Sequence, residues 1–243
     1  MNFRFGRSIL FLFSFSFFLL FAFVSGALFF LVTKGEVDFS ALERYDPAVP
    51  SVLLDSNGKQ WGAFQLDKRD PINIDVVPKH LIQAFVASED HDFFTHTGLS
   101  MRGILRSTLV NLYHLKIVQG ASTITQQLVK LLFFDSSRTF KRKVKEQFLS
   151  LLVERQFTKE QILETYLNHV YFGCGIYGVQ AASQRFWGKD AGKLSIAESA
   201  MLAAVVKSPA RYCPLLSPLS AEKRRNLVLN SMKNLGFILP KEY

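Results

Sequence analysis

Three short stretches of this chain concentrate residue types that can do chemistry. From Glu89 to Gly98 the sequence Glu-Asp-His-Asp-Phe-Phe-Thr-His-Thr-Gly places three carboxylates and two imidazoles within eight residues. Crowded carboxylates beside aromatic side chains are where general acid–base chemistry is sited, although read alone the cluster is also an ordinary acidic helix end. From Gln119 to Lys130 the sequence runs Gln-Gly-Ala-Ser-Thr-Ile-Thr-Gln-Gln-Leu-Val-Lys. Gly120 frees the backbone just ahead of a helix whose first residues offer hydroxyls and unpaired N–H groups, an arrangement that receives anionic oxygens; a plain Ser N-cap is the bland alternative. Arg138, Lys141, Arg142, Lys143 and Lys145 then fall within eight residues and are followed at once by Glu146. On a helix Arg142 and Glu146 share a face at i and i+4, while Val144, Phe148 and Leu151 mark a different, apolar stripe. That charged face suits either a groove or a solvated surface.

The elements that must position these residues are mostly helices. Pro78 fits a first helical position ahead of His80 to Ser88, and apolar residues recur at helical spacing over Met101–Leu115 and Ile124–Phe134. Thr158 with Gln161, and Ser195 with Glu198, are capping boxes that open helices running to about Val170 and Lys207. A last helix is expected from near Leu219 to a stop at Gly236. Before Pro78 the runs Ser51–Asp55 and Gln60–Phe64 flank an Asn57-Gly58 turn and predict a hairpin. Everything beyond Pro78 reads helical.

Upstream, Ile9 to Val32 carries no charged side chain and holds nine of the 24 phenylalanines. As a helix this stretch would run about 36 Å, enough for the ~30 Å hydrocarbon core of a bilayer. Arg4 and Arg7 precede it and Glu36 and Asp38 follow, so the positive-inside bias keeps the N-terminus cytoplasmic and exports the rest. The apolar run exceeds the core of a cleaved signal peptide, and an uncleaved anchor is expected. The expected organisation is a cytoplasmic stub and signal-anchor over 1–33, a juxtamembrane linker over 34–50 and one domain over 51–243.

The chain carries 29 basic and 20 acidic residues, and setting aside Arg4 and Arg7 leaves +7 on the exported part. Facing a lipid surface, that charge points to anionic headgroups and lipid phosphates, not nucleic acid. Cys174 and Cys213 are too few for a disulfide framework; an oxidising compartment permits one bridge, and whether they pair stays open. The sequence has no His-Glu-x-x-His, no Cys-x-x-Cys and no Gly-x-x-x-x-Gly-Lys phosphate loop. Ser56-x-x-Lys59 and Ser220-x-x-Lys223 lack Ser-Asp-Asn and Lys-Thr-Gly partners, which argues against transpeptidation.

In order and spacing the clusters resemble the peptidoglycan glycosyltransferase family, the domain of monofunctional transglycosylases and of the N-terminal half of bifunctional penicillin-binding proteins. Glu-Asp-x-x-Phe-x-x-His-x-Gly at 89–98, Ser-Thr-Ile-Thr-Gln-Gln-Leu-x-Lys at 122–130 and Arg-Lys-x-x-Glu at 142–146 resemble its first three motifs. Ile162–Asn168 with Phe172–Gly178, and Leu194–Ala204 with Ser208-Pro209, resemble the remaining two. Ala121 stands where a second Gly is common and Leu131 where Asn is common; neither removes a charged or hydroxyl group. The resemblance covers about Ser51 to Pro214 and suggests the monofunctional kind. It implies a mainly α, lysozyme-like, two-lobed domain behind a single N-terminal transmembrane helix.

It further implies an inverting transfer from a polyprenyl-pyrophosphate-linked glycan to the 4-hydroxyl of a lipid-linked disaccharide-peptide. Glu89 takes the role of general base, Lys130, Arg138 and Arg142 hold the departing pyrophosphate, and Glu146 organises them. Asp90, Phe93 and His96 shape the first cluster, and Ser122, Thr123 and Gln127 offer hydrogen bonds to sugar or phosphate oxygens. No cofactor is obligatory; Mg²⁺ or Mn²⁺ bridging Glu146 and the pyrophosphate is chemically compatible. The expected partners are the lipid-linked disaccharide-peptide, the growing glycan and membrane lipids. Transpeptidases and other cell-wall synthesis proteins stay open as partners, and nucleic acid is not expected. The expected location is the bacterial cytoplasmic (inner) membrane, with the domain on its outer face. A lytic transglycosylase or lysozyme-like hydrolase, and a non-catalytic membrane-anchored cell-wall scaffold, are the competing readings.

Overall fold

The computed structural model describes residue 26 and residues 51–56, 60–64, 71–116, 120–134 and 139–239. The predicted anchor (but for Gly26), the linker, the Asn57-Gly58 turn and Arg138 lie outside them. Among the described residues no helix is long and apolar enough to cross a membrane. Strands β1 (Ser51–Leu54) and β2 (Gln60–Phe64) pair antiparallel, Ser51 opposite Phe64 and Leu53 opposite Gly62, as the hairpin pattern predicts.

After a 3-10 turn at Ile74–Val76 the chain is dominated by helices: α1 (Lys79–Glu89), α2 (Met101–His114), α3 (Ile124–Phe133), α4 (Phe140–Gln156) and α5 (Lys159–His169). There follow α6 (Val179–Trp187), α7 (Ile196–Val206), α8 (Pro209–Tyr212) and α9 (Pro218–Asn234). The predicted capping boxes form at Thr158/Gln161 and Ser195/Glu198. A third, Thr123/Gln126, opens α3, so the cap is Thr123 and not the preceding serine. Pro78 sits at the N-cap of α1, one position before the expected one, because its ψ of 142° is extended.

The expectation of helix throughout fails at one place. Tyr171–Gly173 and Ile176–Tyr177 form a small antiparallel hairpin, β3–β4, between α5 and α6. Gly173, Cys174 and Gly175 have φ of 88°, 55° and 74°, and three successive residues at positive φ turn the strand back on itself.

Helix α7 is central. Ser199, Ala200, Leu202, Ala203, Ala204 and Val205 are all buried, and a helix buried on several faces has neighbours on each. It packs against α1 and α9, with its alanines allowing close approach, while α3 packs against α4 and α5. Phe85 of α1 joins the groups: its ring meets Tyr166 of α5 and Phe172 of β3 edge-on, at 6.1 and 6.3 Å between centroids. All three are fully buried, and aromatic burial of this kind contributes several kcal/mol of order-of-magnitude stabilisation, ~2–3 kcal/mol per ring. The core therefore sets where the C-terminal end of α1 meets the N-terminal half of α3.

Candidate active site

Glu89 is the last residue of α1 and half-buried, its side chain held at both oxygens. Ser88 Oγ donates to Oε1 at 3.0 Å and Gln127 Nε2 donates to Oε2 at 3.1 Å. The Gln127 amide is oriented in turn by Tyr166, whose buried hydroxyl donates to Gln127 Oε1 at 3.1 Å. Burial first, then the nearby negative charges of Glu89 and Asp90, push the Tyr166 phenol well above its ordinary range, so it stays a donor. A relay from the core thus fixes a carboxylate whose remaining lone pairs face a cleft of about 280 Å³.

The neighbouring residues build the walls. Asp90 Oδ2 accepts from the Ile124 backbone N–H at 3.0 Å, on the first turn of α3 where the helix dipole favours negative charge. The same oxygen meets His96 Nε2 at 2.9 Å. His96 Nδ1 accepts from the Gly98 N–H at 3.1 Å, which assigns the ring proton to Nε2 and makes it the donor to Asp90. Phe93 is fully buried beneath His96, with the Lys159 ammonium 4.5 Å from its ring centroid. Asp90, Phe93 and His96 therefore lock the first motif onto the second.

Thr123 belongs to the same lock. Its hydroxyl donates to Gly98 O at 2.7 Å and accepts from Gln126 N at 3.1 Å. At 1% exposure its hydroxyl is engaged in the fold, and the residue also borders the Glu89 cleft. Ser122, by contrast, is exposed, and its hydroxyl accepts from Lys143 Nζ at 2.9 Å.

Lys143 also pairs closely with Glu146 Oε1, and Arg142 NH1 lies 3.6 Å from Oε2. The Glu146 side chain is only 3% exposed, so two cations neutralise a buried carboxylate. Its contacts are to Arg142 and Lys143, not to Lys130, which lies exposed near the end of α3. Arg142 also borders a second cavity, with Leu131, Phe134, Lys141 and Lys145. Among the described residues its buried Nε–H has no acceptor, a donor left for an anion. Ser122 and Lys143 link this basic wall to the Glu89 cleft.

A transglycosylase family matches residues 57–233. The chain belongs to that family. Among this chain's relatives, penicillin-binding protein 1A of Aquifex aeolicus is 45% identical over 220 residues, covering 90% of this chain and 30% of its own length. Penicillin-binding protein 1F of Bacillus subtilis is 38% identical over 192 residues, 79% of this chain and 27% of its own. The crystal structure of penicillin-binding protein 1A from Haemophilus influenzae covers 80% of this chain and 19% of its own, at 26% identity and a TM-score of 0.47. The chain thus spans under a third of the length of these relatives.

Sequence reasoning passed over four contributors. In the sequence Lys143 is one charge in a basic run, although its i,i+3 spacing from Glu146 is a readable signal. Tyr166 lies inside the Ile162–Asn168 motif with nothing local to mark its hydroxyl. Arg106 of α2 and Lys207 after α7 both line the Glu89 cleft, and no spacing connects them to it.

Proposed function

We propose that this chain polymerises peptidoglycan glycan strands by inverting transfer between lipid-linked sugars. The observation that carries the reading is Glu89, held by Ser88 and Gln127 at a cleft whose adjoining wall bears Lys143 and Arg142. The acceptor's 4-hydroxyl gives its proton to Glu89 as its oxygen attacks the anomeric carbon of the donor. The bond from that carbon to pyrophosphate breaks, the pyrophosphate leaves with the electron pair, and the configuration inverts.

Fixed positive charge can replace a general acid here, because pyrophosphate is already a good leaving group. Arg142, with its free Nε–H, and Lys143 act first, and Lys130 and Arg138 complete the sink. Arg106 and Lys207 suit the phosphates of the acceptor on the Glu89 side. Glu146 is already paired with two cations, and among the described residues no group of three His, Cys, Asp or Glu gathers to hold a metal. A divalent ion bridging Glu146 and the pyrophosphate would have to displace those cations from the carboxylate, with the phosphates supplying its other oxygens, and no step is routed through one.

We further read the domain as the lysozyme-like, two-lobed fold, held at the outer face of the inner membrane by the 9–32 helix, with lipid-linked disaccharide-peptide as substrate. Replacing Glu89 by Gln keeps shape and hydrogen bonding but removes the base. E89Q in detergent, given purified lipid-linked disaccharide, should form no polymer, a loss of about 10²–10⁴-fold, while still binding donor. Polymer at the wild-type rate would move the base to Asp92. Shortening of preformed strands by the wild type, with no release of polyprenyl pyrophosphate, would make the chain a hydrolase instead.

A further inference from the structure

Cys174 and Cys213 are 39 residues apart in sequence, yet their Sγ atoms lie 3.2 Å apart. Both are free thiols, Cys174 exposed and Cys213 fully buried. Cys174 is the middle of the three left-handed residues that turn β3 into β4, and its neighbours there are both glycine. A side chain occupies such backbone at a steric cost, so a non-glycine residue there calls for a reason. The reason on view is the contact itself, for the thiol at this position meets the second cysteine of the chain.

Cys213 holds the opposite corner. Its N–H caps α8 by donating to Pro209 O at 3.0 Å, and its carbonyl accepts from the N–H groups of Leu216 and Ser217, where α9 begins. The hairpin and α8 are also in close backbone approach, since a β-carbon on Gly173 would come within 3.2 Å of Pro209 O. The two sulfurs therefore sit on rigid, packed supports. The hydrogen bond with Cys213, and then burial, hold the Cys174 thiol above its usual range, with Arg185 opposing.

We propose that Cys174 and Cys213 are a redox site that closes to a disulfide by exchange with a disulfide-bearing oxidant, stapling the β3–β4 turn to the corner between α8 and α9. The exposed Cys174 thiolate attacks one sulfur of the oxidant, whose S–S bond breaks; the first oxidant thiolate leaves with the electron pair and takes up a proton. Cys213, as thiolate, then attacks Cys174 Sγ in the mixed disulfide and releases the second oxidant thiol. Two protein thiols and one disulfide become one protein disulfide and two thiols, so the exchange balances. The oxidant is a small or protein disulfide of the kind found outside the cytoplasm, and its presence rests on the exported placement proposed above. Because α8 begins two residues after Lys207, the staple also fixes that wall of the Glu89 cleft.

The test uses the full chain in detergent, equilibrated with oxidised glutathione or with dithiothreitol, quenched in acid, alkylated with maleimide and weighed whole and as peptides. The oxidised protein should take up no maleimide, yield a Cys174–Cys213 linked peptide, and melt about 5–10 °C above the reduced form. Cys174→Ser should abolish the redox-dependent shift. Quantitative alkylation of both cysteines after oxidation, a persistent glutathione adduct on Cys174, or intermolecular linkage would each overturn the proposal. Glycosyl transfer is not a readout, so the outcome is independent of the proposed activity.

Discussion

Arg142 makes the most specific demand on a ligand of any residue in the site. One side of its guanidinium faces Glu146, and its buried Nε–H has no acceptor among the described residues. An unmatched buried donor costs ~1–3 kcal/mol, which a passing anion would offset. Arg142→Gln leaves Lys143 to neutralise the buried Glu146, so it should cost about 1–3 kcal/mol of stability while the protein still folds, but reduce turnover some hundredfold, about 3 kcal/mol of transition-state stabilisation. Steady-state polymerisation alongside a thermal melt decides it: a cooperative melt with a wild-type rate would remove Arg142 from the anion sink. Glu146→Gln should act differently, because two cations then lose their shared buried partner; weaker donor binding is expected along with slower turnover.

Elements matter because the first two motifs have no function until they are locked together, and Gly98 is where the lock is tightest. Its φ is 97°, and a β-carbon there would lie 2.8 Å from the backbone oxygen of Ser150, which cannot swing aside. Its carbonyl also accepts the Thr123 hydroxyl. Gly98→Ala should cost about 2–4 kcal/mol and lower the melting temperature by roughly 5–10 °C, with activity falling further as Thr123 and Asp90 lose register. A variant that melts like wild type would show that the loop can relax. A second element prediction concerns acid. Burial raises the Glu198 pKa, but hydrogen bonds from Lys189 and Ser195 outweigh it, and the net shift is downward. A depressed folded-state pKa adds stability that is present above the ordinary carboxylate value and lost as pH falls through the folded one. Wild type should therefore out-melt Glu198→Gln at pH 7 by a degree or two, and the gap should close below about pH 4.

The same elements show what a sequence can and cannot declare. The capping boxes at Thr158 and Ser195 were legible because their chemistry is local, a hydroxyl and a carboxamide or carboxylate three residues apart. The β3–β4 hairpin was not, since strands of three and two residues are too short for an alternating pattern to emerge. Glu89, Gln127 and Ser122 were legible as types in motifs, but the Tyr166–Gln127–Glu89 relay needs α1, α3 and α5 packed around Phe85. Arg106 of α2 and Lys207 after α7 come to one cleft only through the tertiary fold. Thr123 shows the converse: a hydroxyl in a ligand-binding pattern carries no mark that the fold also uses it as a cap and a lock.

At the scale of the whole molecule, the proposed chemistry joins two substrates that each carry a polyprenyl tail. An enzyme free in solution must find both at an interface, whereas one held by a membrane helix shares a thin layer with them, and confinement raises effective concentration. The uncharged run from Ile9 to Val32 is long enough for that tether. Intact mass of the protein taken from membranes should therefore include residues 1–33, with no mature N-terminus near Ala27 or Leu28. Residues 34–243 alone, compared at equal enzyme in vesicles bearing lipid-linked disaccharide, should polymerise at least on the order of tenfold more slowly, while the two forms should converge in detergent, where micelles erase the shared plane. Equal rates in vesicles would assign surface capture to the domain itself, with its basic excess of +7 on anionic headgroups, and that alternative predicts a rate that falls steeply with added salt.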